Sequence, residues 1–163
     1  MQFPQILVYE TDGLLAAMLR DLAKTKRLAL KEPRKAETVL RLLRDRCPSV
    51  LVLKIATYEK REAGFPLDEE EQRREGDREK EQVHSLDLLA RVHEQFPDTA
   101  IVAVGDAEDA GLDSLAWDFG ASYVLMPPQS RQLLSEIVTG LMDRAIAKSQ
   151  DNKTRANERA SAT

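Results

Sequence analysis

With one cysteine, Cys47, in 163 residues the chain can form no internal disulfide, and its two histidines, His84 and His93, leave no cluster at zinc-ligand spacing. Aromatic residues make up only 5% of the chain, so a core has to be built from Leu, Val, Ile and Ala. No apolar run approaches membrane-spanning length, and no basic segment precedes the short apolar run near Met1. The expectation is a cytoplasmic chain with no membrane contact. A net charge of -4 and the absence of a basic stripe with interleaved aromatics exclude nucleic acid as a direct ligand.

What the chain does have is an alternation of short apolar runs and helical stripes. The run Ser-Val-Leu-Val-Leu-Lys-Ile at 49–55 is short, rich in β-branched residues and unbroken, the pattern of a strand buried on both faces of a parallel sheet. Its single charge, Lys54, falls near the carboxyl end, the edge at which open α/β sheets place ligands and chemistry. Before it, residues 5–9 read as a strand running into Glu10-Thr11-Asp12-Gly13, which supplies N-cap oxygens for a helix striped by Leu15, Met18, Leu19 and Leu22. Residues 27–31 predict a more polar strand, and Ala36, Val39, Leu40 and Leu43 a second helix ahead of Cys47-Pro48.

Residues 56–82 break the rhythm. The part from 68 to 82 has no apolar residue, and Gly76 interrupts helical pairs such as Glu69 with Arg73 and Glu70 with Arg74. The pattern predicts a mobile, charged insertion with some helical content. Val83, Leu86, Leu89, Val92 and Phe96 then predict a third helix and residues 99–104 a strand. Leu112, Leu115, Ala116 and Phe119 form a buried stripe closed by Gly120, residues 121–126 a fifth strand, and Leu134, Ile137, Val138, Leu141 and Met142 a last helix. Residues 148–163 are polar and patternless and predict a disordered tail. Five strands alternating with five helices predict a doubly wound (βα)5 α/β domain over residues 1–147, flavodoxin-like, with parallel strand order 2-1-3-4-5.

The segments ILVYETDGLLAAMLRDL, CPSVLVLKI and FGASYVLMPP fit that layout as opening strand with acid cluster, third strand, and Gly-Ala turn with fifth strand. In this the chain resembles the receiver domain of bacterial two-component response regulators, the chemotaxis-receiver type. The resemblance implies two acids that bind Mg²⁺ after the first strand, a phosphoaccepting Asp at the end of the third, a hydroxyl at the end of the fourth and a lysine at the end of the fifth. Placed on this sequence, the acid pocket falls on Glu10, Thr11 and Asp12, the phosphoacceptor on Lys54, and the switch positions on Gly105 and on Met126 or Pro127. The chemistry is not kept. Acyl-phosphate formation needs a carboxylate nucleophile and a divalent cation, and an ammonium at Lys54 supplies neither. Lys54 is expected to repel Mg²⁺ and to pair with Glu10 or Asp12.

The resemblance, so degraded, implies a stand-alone degenerate receiver: no enzyme, no cofactor or metal, and an output made by contact with a signalling protein or a second copy. The alternative is a flavodoxin-like small-molecule or nucleotide binder or enzyme using the strand-end crevice, although the first strand-helix turn has acids in place of a glycine-rich phosphate cradle. Trp117 and Tyr123 are the candidate partner face, being residue types enriched at interface hot spots. Thr57, Tyr58 and Glu59 read as loop residues, and His84 and His93 as having no general-base role. By the same resemblance the Met126-Pro127 bond is the first candidate for a cis peptide, with Pro127-Pro128 next.

Overall fold

The computed structural model describes residues 3–57 and 68–162. Five strands, β1 (Gln5–Tyr9), β2 (Ala29–Lys31), β3 (Ser49–Ile55), β4 (Ala100–Gly105) and β5 (Tyr123–Leu125), form one parallel sheet in the order β2-β1-β3-β4-β5. The helices are α1 (Leu14–Lys26), α2 (Ala36–Leu43), α3 (Glu69–Gln95), α4 (Ala110–Asp118) and α5 (Leu134–Ser161), the last preceded by a 3₁₀ turn at Arg131–Leu133. The expected doubly wound fold and strand order are what the chain adopts.

Alternation along β3 explains the two-sided core. Leu51, Leu53 and Ile55 pack with residues of α2, α3 and α4, while Val50 and Val52 pack with residues of α1 and α5. Both faces are dry, which is why the run is continuously apolar. By parity Lys54 belongs to the α1 and α5 side, and it is the one position in the strand that is not fully buried.

Three expectations need correction. The residues predicted as a mobile insertion include the first half of α3, a single helix of 27 residues that passes through Gly76. Glycine in a helix costs about 1 kcal/mol relative to alanine. Against that, Asp68 caps the helix by accepting from the Glu71 amide at 2.7 Å, and Glu69, Glu70 and Glu71 complement the helix dipole. Residues 58–67 of that insertion lie outside the described residues, Tyr58 and Glu59 among them. Likewise, the predicted disordered tail is the continuation of α5 to Ser161. Nothing after Gly140 is Gly or Pro, and nine of the 16 residues from 148 on are Ala, Lys, Arg, Gln or Glu, so helix propensity carries it on, with Lys148 paired to Asp98, while its side chains stay largely exposed. Finally, α4 buries only Leu112 and Ala116, one i,i+4 pair; Leu115 and Phe119, predicted as core, are 43% and 37% exposed. A helix this short sets a narrow stripe on the sheet.

Among the described residues no helix is long and apolar enough to cross a membrane.

Candidate functional site

In a parallel sheet every strand delivers its carboxyl end to the same edge, so the residues that follow β1, β3 and β4 meet there. After β1 the chain turns through Gly13, whose φ of 76° is the left-handed conformation glycine tolerates best, and enters α1. The first amides of a helix lack internal partners. Here Glu10, 8% exposed, accepts from Leu15 N and Ala16 N with its two oxygens, each at 2.9 Å, and Asp12 Oδ1 accepts from Leu14 N at 3.1 Å. Asp12 is thus only the smaller part of the cap the sequence assigned to it, and Glu10, buried against the helix, is the larger. The chain's own carboxylates fill the place where a helix N-terminus would otherwise take a phosphate.

Lys54 reaches this cluster from β3. Its Nζ lies 2.5 Å from Asp12 Oδ2 and 3.5 Å from Asp106 Oδ2, with only 16% of its side chain exposed. Of the two expected partners it takes Asp12 and not Glu10. Asp106, the residue after β4, receives Arg131 from the 3₁₀ turn on its other oxygen. Arg34 closes the rim, donating from Nη1 to the carbonyl oxygens of Glu10 and Thr11 at 3.4 Å each. Thr11 enters the site through that carbonyl. Asp106, Arg131 and Arg34 were not singled out from the sequence. Asp106 could have been, since a charge directly after a parallel strand lands on this edge; Arg131 and Arg34 come from loops whose course no local pattern reveals.

The Lys54 ammonium, helped by the Leu14 amide, holds the Asp12 carboxyl down from 3.8 to about 2. A carboxyl lowered by folding contributes stability above its unfolded value and loses it as pH falls through the folded one, so this contribution fades between about pH 4 and pH 2. Lys54→Met should return the Asp12 titration to the ordinary carboxylate range, with the Leu14 amide and Glu10 as its remaining neighbours. Side-chain carboxyl NMR against pH reads this directly, and an unmoved Asp12 would mean that Lys54 does not hold it.

Gly105 and Met126 form a packing pair. A Cβ added at Gly105 would lie 3.0 to 3.3 Å from Cγ, Cε and Sδ of Met126, whose side chain is buried. Met126 therefore takes up the room that a side chain at 105 would need. Pro127 follows in the turn, and the cis peptide is Pro127-Pro128, the second of the two candidates, and not Met126-Pro127.

The fold's chemistry elsewhere invites a divalent cation, and these residues do not fit one. Mg²⁺ requires hard oxygen ligands in near-octahedral array. Both oxygens of Glu10 are turned to α1 amides, and Asp12 and Asp106 hold an ammonium between them. Above this floor the N-terminal half of α3 overhangs the strand ends, with Gln82 Nε2 donating to Ala56 O at 3.0 Å. Between them is a cleft of about 1000 Å³ whose walls include Arg34, Thr57, Arg78, Glu81 and His84. His93 lies apart, against Gly120. Trp117 and Tyr123 meet edge to face with ring centroids 6.2 Å apart and do not line the cleft, and Trp117 is 47% exposed.

No family model and no curated protein matches the chain. Solved structures do. A response regulator receiver domain protein (CheY-like) from Methanospirillum hungatei superposes with a TM-score of 0.61 at 12% identity, over 90% of this chain and 99% of that one. A response regulator from Thermotoga maritima gives 0.59 at 17% identity, over 87% and 99%. NtrX from Brucella abortus, crystallised with ADP, gives 0.59 at 14% identity over 95% of this chain, which spans only 29% of that protein. The chain has the receiver fold of response regulators, at a level of identity where fold is what is shared.

Proposed function

We propose that the chain is a degenerate receiver that works as a protein-interaction module in signalling, with a state not set by aspartyl phosphorylation. One observation carries this: the ammonium of Lys54 stands at the end of β3, neutralised by Asp12 and Asp106, where phosphoryl chemistry would need a carboxylate. Among the described residues, the positions that would complete such a site are occupied otherwise. Glu10 is a structural cap, Gly105 has no hydroxyl and Met126 no charge. Thr57, whose buried hydroxyl has no hydrogen-bond partner among the described residues, is a poor nucleophile with no base bonded to it.

We place the partner, a signalling protein or a second copy of the chain, on the face of Trp117 and Tyr123. Trp117 is too exposed to be core, and its ring is propped by Tyr123, so it offers a large rigid surface at small entropic cost. In Trp117→Ala, partner binding or self-association should weaken by about 2 kcal/mol or more, with little change in melting temperature. A collapse of the melting temperature with normal association of the folded fraction would move the interface elsewhere, first to the charged half of α3.

A further inference from the structure

We infer that Asp106 and Arg131 extend the ion pair of Lys54 into a latch that ties the strand-end crevice to the beginning of α5. This rests on the reading of Lys54 as a resident cation and adds what that cation does to the rest of the fold.

The chain of contacts runs Asp12, Lys54, Asp106, Arg131. Each member comes from a different piece of backbone: the turn between β1 and α1, the end of β3, the loop between β4 and α4, and the 3₁₀ turn that opens α5. The two loops held by Asp106 and Arg131 follow β4 and the short edge strand β5, which pairs with β4 over only three positions and with no other strand among the described residues. Backbone contacts therefore restrain this corner weakly, and an ion-pair chain adds a restraint the sheet does not provide. The members differ in exposure. Lys54 is mostly sheltered, whereas 48% of Asp106 and 32% of Arg131 is open to solvent. A single open pair contributes little, but one anchored on a sheltered ammonium shared by two carboxylates has a fixed end and is less screened. Asp106 is the joint, because one oxygen faces Lys54 and the other Arg131.

The consequence is action at a distance. Lys54 is linked to Arg131 of the 3₁₀ turn through Asp106, so removing its charge takes away a partner that positions Asp106 for Arg131 and sets two carboxylates near one another without the ammonium between them. The corner at the carboxyl end of β5, the strand that carries Tyr123 of the proposed partner face at its start, is then free to move.

Amide hydrogen exchange of the full chain tests this. Arg131→Gln and Lys54→Met should each speed exchange of amides 131–136 by about fivefold or more, on the scale expected for losing one anchored pair. Lys148→Gln, which breaks the pair with Asp98 midway along α5, is the control and should leave those amides unchanged. Asp106→Asn, a conservative change at an open side chain, gives a second route if Lys54→Met folds poorly. Should residues 131–136 exchange at the wild-type rate in both Lys54→Met and Asp106→Asn, the latch does not exist. That outcome is separate from failure of the functional reading, which would show as phosphoryl uptake by the unmodified chain.

Discussion

Lys54→Asp is expected to cost the fold about 3 kcal/mol, the low end for breaking a sheltered ion pair by changing one partner. The low end applies because Asp12 and Asp106 are themselves 35% and 48% exposed and keep part of their hydration. The substitution removes the cation that both acids share and puts a third carboxylate between them, beside Glu10. Urea unfolding in the presence of a chelator, so that no divalent cation screens the acids, gives the number. Wild-type stability would mean that the ammonium contributes little and that the site has room for an acid. The same variant should take no phosphoryl group from acetyl phosphate by intact mass, because Thr11, Gly105 and Met126 still leave the site without its second acid, hydroxyl and lysine.

A side chain at position 105 should be refused for a different reason. Gly105→Thr places a Cβ at 3.0 to 3.3 Å from three atoms of Met126, in a buried strand end paired with Ile55, so overpacking of about 2 kcal/mol follows. Met126→Ala alone leaves a cavity and also destabilises. The double variant should be more stable than the sum of the two by about 1 kcal/mol or more, since each change makes room for the other. Strict additivity in denaturant unfolding would show that Met126 simply moves aside.

The order of the sheet was legible because the apolar runs are short, separated and bounded, and because β3 is buried on both faces and shows it. The charged half of α3 was not, since a helix without an apolar stripe looks like disorder until its cap at Asp68 and the acids of its first turn are weighed. The end of α5 misled for the same reason: propensity, not burial, makes it helical. In the site, Glu10, Asp12 and Lys54 were readable as strand-end charges, but the division of labour was not. A glutamate long enough to reach back to the amides of Leu15 and Ala16 takes the buried cap, and the shorter Asp12 is left facing the lysine. The contribution of Arg131 depends on how the chain returns after β5, which local sequence does not encode. Gly105 and Met126 were seen singly as departures from a resemblance, and only their contact reveals that the small residue and the large one occupy a shared space.

Beryllofluoride with Mg²⁺, which mimics a bound phosphoryl group on a receptive carboxylate, tests the central claim most directly when added to the labelled protein and followed by its amide NMR spectrum. With the Lys54 ammonium in place and Glu10 and Asp12 already engaged, the spectrum should remain that of the untreated protein. Selective shifts at Glu10, Lys54 and Gly105, spreading to the corner around Arg131, would contradict it.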